Sequence, residues 1–287
     1  MNKFKQHLLI LHCALEGNSR IVQKYRRIDP GLEQLFTLEG SRILTALTRS
    51  QRAAAAVADL KINSPFLQWS REGIECLTID ESSYPGELFC MSVPPQVLFL
   101  KGNTNLLNVS PKLAVVGARH PSERAARDLH MLTAPSIQAG VLIISGMAQG
   151  VDTSAHETAF QENGSTIAVL GFGINHLYPR SAYLLKKRLE KEQLVVSEYP
   201  PDIRPKPYQF PERNRIISGL AQVVLVVEAK ERSGSLITAE TALEQGKEVL
   251  AVPGRITDPL SAGTNRLIQD GAGAALKPED ILEEFFR

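Results

Sequence analysis

Cysteine is scarce in this chain. Cys13, Cys76 and Cys90 lie far apart among 287 residues and form no CxxC pair. Neither a structural zinc site nor a disulfide framework is therefore expected, and a reducing compartment fits. Long apolar runs are also missing: no segment approaches the roughly 18 residues of a membrane span. The opening MNKFKQHLLILHCAL is interrupted by His7 and His12 and followed by Glu16, which is not the pattern of a signal peptide. Excess charge of one sign is absent. Lys plus Arg number 32 against 31 Asp plus Glu, so a polyanion would have to be met by a local patch rather than by the whole surface. No GxxxxGK[ST] occurs, which excludes a Walker A cradle. Gly171-Phe172-Gly173 lacks the third glycine of a dinucleotide fingerprint, with His176 in its place. No GxSxG frames Ser145, Ser197 or Ser233. The expectation is a soluble, cytoplasmic protein with no metal, no cofactor and no membrane partner.

What the chain does have is a repeated unit of apolar strand, glycine-rich or polar turn, and helix. LAVVGAR (113–119), VLIISGMAQGVD (141–152), TIAVLGFG (166–173), LVVSEYPP (194–201), VVLVVEAKERSGS (223–235) and VLAVPG (249–254) carry it. Nearly continuous apolar strands are the mark of strands buried on both faces, and right-handed crossovers then give a doubly wound sheet. The predicted fold class is α/β: a Rossmann-like, doubly wound, mostly parallel sheet preceded by a small all-helical domain. Residues 1–72 form the helical domain and residues 73–287 the extended Rossmann-like domain. Within the first, Phe4, Leu8, Leu11 and Leu15 repeat at helical spacing, Asp29-Pro30 is expected to open a short helix carrying Leu32, Leu35 and Phe36, Gln51–Leu60 holds a four-alanine run, and Asn63-Ser64-Pro65 starts another helix. IECLTI (74–79) and VLFLKG (97–102) read as strands that extend the main sheet. The tail reads as two helices, with no further domain expected after Arg287.

The carboxyl edge of such a sheet is where α/β proteins bind ligands. Glycines there admit an anion to the backbone, and helix N-termini offer free N–H groups. Arg119, Arg180, Arg213, Arg215 and Arg232 also lie at strand exits, and arginine suits phosphate. The residues expected to form the site are Gly117, Arg119, Ser145, Gly146, Gly150, Arg180, Tyr183, Arg213, Asn214, Arg215, Ser233, Gly234 and Ser235. Asp152 and Ser235 sit where helix N-caps belong. Lys186–Lys191 reads either as part of a basic patch or as a solvated helix face with i,i+4 pairs. His156, four residues after Asp152, reads as a structural histidine rather than a ligand. Glu198 and Glu228 stand at strand ends and could act as acid or base. Leu267 and Ile268 are either core residues or a dimer contact.

Seven of these motifs, in order, resemble the DprA/Smf family of DNA-processing proteins: VVGAR, SGMAQGVDTSAH, TIAVLGFGINHLYP, SEYPP, FPERNRIISGL, VVEAKERSGSLITAETALEQGKEVLAVPG and GTNRLIQDGA. The likeness runs through residues 75–287. It implies a protein that binds single-stranded DNA in natural transformation and competence, protects incoming strands, loads RecA onto them for recombination, and works as a homodimer through its Rossmann-like domain. It implies DNA contacts at Arg119, at Arg180 and, through a base, at Tyr183. The N-terminal domain would correspond to the family's helical domain, in which the helix-hairpin-helix turn becomes LEGNSR. The family's occasional C-terminal winged helix is not expected here. The alternative reading is an enzyme, a nucleotide-binding phosphoribohydrolase, although the PGGxGTxxE form of its motif is missing.

Overall fold

The computed structural model describes residues 2–286. Five helices come first: α1 Lys3–Ala14, α2 Ser19–Ile28, α3 Leu38–Thr48, α4 Arg52–Ile62 and α5 Phe66–Arg71. Asn2, Asn18 and Thr37 cap the first three by accepting from backbone N–H groups of the first turn, the role these short polar side chains play best. The helix expected after Asp29-Pro30 does not form. Asp29 instead turns its carboxylate onto the N–H groups of Glu33 and Gln34, and Leu32 takes a left-handed φ of 53°. This local side-chain bonding competes with helix and ties 29–37 into a turn.

Two strands follow, β1 Ile74–Thr78 and β2 Val97–Gly102, then β3 Lys112–Val116, α6 Ala125–Gln138, β4 Leu142–Ser145, α7 Val151–Gln161, β5 Thr166–Leu170, α8 Tyr183–Glu192 and β6 Leu194–Ser197. The chain then crosses back through α9 Gln209–Leu220 to β7 Val223–Val226, α10 Gly234–Glu244, β8 Glu248–Ala251, α11 Ala262–Gln269, β9 Gly273–Ala274 and α12 Pro278–Phe286. The two-residue β9 falls within a stretch that sequence reasoning assigned to helix. Gly271, with φ 112°, stops α11 and lets the chain pair beside β8.

All nine strands form one sheet in the order β1-β2-β6-β5-β4-β3-β7-β8-β9. β1–β2 and β2–β6 are antiparallel and every other pairing is parallel. The chain winds from β3 outward to β6, then returns to β7 on the other side of β3. The topological switch point therefore lies between the ends of β3 and β7, where this architecture leaves a ligand crevice.

Alternation along the strands splits the core in two. Ala114, Val116, Ile144, Ile167, Val169 and Val224 face α9 and α10. On the other face, Leu113, Val115, Ile143 and Leu225 pack beneath α6, α7 and α12. Val97, Phe99, Ala168, Leu170 and Val195 pack beneath the N-terminal helices. Leu8, Leu9, Ile10 and Leu11 of α1 are all buried in that layer, as befits a helix enclosed on every side. His7 and His12 are buried with them and bond the carbonyls of Leu32 and Glu198, at 2.8 and 2.7 Å, with His12 Nδ1 left without a partner among the described residues. Residues 3–71 thus share one apolar core with the outer half of the sheet.

Candidate nucleic-acid interface

Three loops at the carboxyl edge pack against one another, and the one between β4 and α7 is so tight that it requires glycine. Gly150 precedes α7 with φ 86°, and a Cβ there would stand 2.4 Å from the Ala118 carbonyl oxygen. The Val151 N–H donates to that same carbonyl at 3.1 Å, so the turn after β3 rests on the start of α7. A Cβ on Gly146 would meet the Arg213 guanidinium at 2.5 Å. The turn is held from the other side by Glu228, at the exit of β7. It accepts from the Ser122 N–H at 2.8 Å and the Ser122 hydroxyl at 2.5 Å.

Arg213 is a brace inside this edge. Only 4 % of it is exposed. Its Nη1 donates to the Gly146 carbonyl at 2.7 Å and to the Val169 carbonyl, and its Nε to Asn214 Oδ1 at 3.1 Å. Burial pushes the guanidinium down to about 10, against the pull of Asp152. Burial likewise raises the Asp152 carboxyl, partly offset by Arg213 and by backbone N–H groups. Asp152 lies in the first turn of α7 and accepts from the Ala148 N–H at 3.2 Å, but the N-cap position belongs to Gly150. Similarly Ser233, not Ser235, is the N-cap residue of α10, and the two hydroxyls lie 2.9 Å apart.

Other expected site residues point elsewhere. The Ser145 hydroxyl is fully buried and donates to the Val115 carbonyl at 2.7 Å, across the sheet. Arg215 is turned to the opposite side of α9, where its Nη2 donates to both Glu198 carboxylate oxygens at 2.5 Å and its Nη1 to the Val93 carbonyl at 2.6 Å. Lys186 is buried against Glu190, and Arg188 pairs with Glu192 at 3.0 Å. The basic run of α8 is therefore largely paired within its own helix. His156 bonds the Thr166 hydroxyl at 2.7 Å and is pushed down to about 3 by burial, a neutral core histidine. Among the described residues no cluster of His, Cys, Asp or Glu could hold a metal.

What remains at the edge is a crevice of about 240 Å³ at the switch point. Gly117, Arg119, Asp152, Pro211, Asn214, Ser233, Gly234 and Ser235 line it. A second hollow of about 150 Å³ adjoins it, lined by Arg119, His120, Gly146–Gln149, Phe172, Tyr178, Pro179 and Phe210. The two share Arg119 and Phe210. The exposed Arg119 guanidinium lies 5.7 Å from the Phe210 ring centroid, within cation–π range. Phe210 stands 5.4 Å from Tyr178, and Phe172 closes the group at 6.3 and 6.5 Å. Arg180 follows Pro179 directly and is exposed, as is Tyr183 at the start of α8.

The groove so formed carries a cation with no ion-pair partner among the described residues, accessible aromatic faces and glycine backbone. Tyr178 and Phe210 escaped the reading of the sequence, which placed its aromatic at Tyr183. The available signal was an aromatic beside each basic motif, in YPR and FPER. A model described as DNA recombination-mediator protein A matches residues 75–286. The chain belongs to this, the DprA/Smf, family. It is 39 % identical over 270 residues to the DNA processing protein DprA of Bacillus subtilis, covering 92 % of this chain and 89 % of that one. With its Streptococcus pneumoniae counterpart it shares 44 % over 208 residues, 72 % of this chain and 73 % of that one. The X-ray structure of DprA from S. pneumoniae superposes with a TM-score of 0.86 at 35 % identity over 100 % of both chains. A Helicobacter pylori DprA structure, described for its single-stranded DNA binding mode, matches with a TM-score of 0.66 at 28 % identity over 73 % of this chain and 94 % of that one. No helix among the described residues is long and apolar enough to cross a membrane.

Proposed function

We propose that this chain is a DNA-processing protein of natural transformation that binds single-stranded DNA along the carboxyl edge of its sheet. It acts by binding rather than by catalysis, delivers the strand to RecA, and works in the cytoplasm as a homodimer with Leu267 and Ile268 at the contact. The observation that carries the reading is Arg119 laid over Phe210 with Tyr178 beside it. A single strand asks for cations that track phosphates and π-faces that accept unstacked bases, and this edge offers both within one groove. Kinship to the H. pylori protein supports the same ligand. The carboxylates of Glu198 and Glu228 are already engaged by Arg215 and Ser122, which speaks for binding over acid–base chemistry. Because phosphates carry no sequence information, little base preference is expected.

The test is fluorescence anisotropy of a labelled oligothymidylate at several salt concentrations. Arg119→Ala with Arg180→Ala should weaken binding and flatten the salt dependence by about 0.7 logarithmic units per lost phosphate contact. Unchanged affinity and slope would remove the edge as the binding site.

A further inference from the structure

The first turn of α9 is a wall between two cavities. Phe210 and Pro211 line the switch-point crevice, while Tyr208 and Glu212 line a cleft between the sheet and the N-terminal helices. That cleft is the larger, about 560 Å³ against about 240 Å³, a size that suits a nucleotide. Its acids are all engaged. Glu198 is held by Arg215, Glu212 accepts from the Tyr199 hydroxyl at 2.8 Å, and Glu16 pairs with Lys206 at 2.8 Å. Two of its arginines are not. Arg20 and Arg52 line the cleft and are exposed, and neither has an ion-pair partner among the described residues.

The cleft is also rigidly placed relative to the sheet. Gly17, with φ 86°, sits so close to the exit of β6 that a Cβ would stand 3.1 Å from the Glu198 carbonyl oxygen. The His12 ring bonds that same carbonyl at 2.7 Å. Arg20 is thereby carried at a fixed offset from the edge on which Arg119 stands. Half-exposed Tyr208 forms the ridge between the two hollows.

We propose that a single DNA strand bound at the sheet edge crosses the first turn of α9 and continues into this cleft, where Arg20 and Arg52 take two further phosphates. This rests on the edge being the primary single-strand site. The helical layer then lengthens the site that the sheet begins.

The experiment compares oligothymidylates on the full chain, one of about 6 nucleotides, near the short end of single-strand site sizes, and one of about 20, beyond their upper end of roughly 16. Arg20→Ala with Arg52→Ala should leave the short oligonucleotide unaffected. On the long one it should reduce the salt slope by about 1.4, two phosphates at about 0.7 each. Between 50 and 200 mM salt that is about a sevenfold smaller loss of affinity than wild type shows. Arg20→Lys with Arg52→Lys should restore the slope. An unaltered slope on the long oligonucleotide, or an equal loss on the short one, overturns the extension while leaving the edge site standing. If wild type binds neither oligonucleotide, the edge reading fails and the extension with it. Both side chains are exposed and unpaired, so an unchanged melting temperature confirms that the variant is folded.

Discussion

Replacing Arg213 by Met keeps the aliphatic stem and removes the charge that braces the edge. Two charge-assisted hydrogen bonds to the carbonyls of Gly146 and Val169 are lost. At about 1.5 to 3 kcal/mol each, the change costs roughly 3 to 6 kcal/mol. For a chain of this size that corresponds to a melting temperature lower by about 6 to 12 °C, at about 2 °C per kcal/mol. Asp152 adds a signature in pH. Its carboxyl is already raised by burial and held down in part by Arg213, so the variant raises it further. A carboxyl raised in the folded state is protonated there while the unfolded chain is still ionised. The stability it contributes is complete below the unfolded value of 3.8 and is lost as pH rises through the folded one. The deficit of the variant should therefore be largest at neutral pH and shrink on acidification. Adding Asp152→Asn should recover part of it at pH 7, a coupling that a double-mutant cycle reads directly. Differential scanning calorimetry across pH 4 to 8 supplies the numbers. Equal melting temperatures for wild type and Arg213→Met, or no recovery with Asp152→Asn, would refute Arg213 as a brace.

Two further expectations concern the aromatic group and the buried histidine. Tyr178→Ala and Phe210→Leu should each weaken oligothymidylate binding, with up to about 1 to 3 kcal/mol lost per unstacked base. Tyr183→Ala measured alongside tells which aromatic meets the strand, and wild-type affinity in both of the first two variants would exclude this pair. His156, pushed down from 6.5 to about 3, refuses a proton that the unfolded chain accepts. Stability is then lost as pH falls through that window, by about 2 kcal/mol between pH 6.5 and 5 at 1.36 kcal/mol per unit. Urea midpoints at the two pH values should show it, and His156→Gln should flatten the dependence; an equally steep loss in that variant would assign the acid sensitivity elsewhere, with buried His12, also lowered, the next to replace.

Much of the architecture was legible because apolar strands buried on both faces leave a plain record. VLFLKG spans β2 residue for residue, and all six strand–turn–helix units appear in the expected order. Its failures have local causes. Asp29 spent its carboxylate on a turn where a helix was expected, and Gly271 broke the tail so that β9 could pair. At the site, residue type and strand position picked out loops that the structure brings together at one edge, but no one-dimensional pattern tells an arginine that points outward from one that points in. Arg119 and Arg213 both follow strands, yet one lies over an aromatic ring in the open and the other is threaded under Gly146. Arg213 and Arg215, two positions apart, leave α9 toward different sides and serve different loops. The aromatic group was harder still, since Phe172, Tyr178 and Phe210 come from two separate segments and meet only once β5 and α9 are in place.

The packing of α1 against β1 and β2, with α4 behind it, into one core shared with β5 and β6 bears on how freely this architecture can be recombined. A version trimmed of its first seventy or so residues would present Val97, Phe99, Leu170 and Val195 to water as a bare oily plate. Such a plate would have to be upholstered by another helical lid before the molecule could remain dispersed. The amino-terminal helices are therefore not an interchangeable module hung on a finished protein; they are one of the walls of the house.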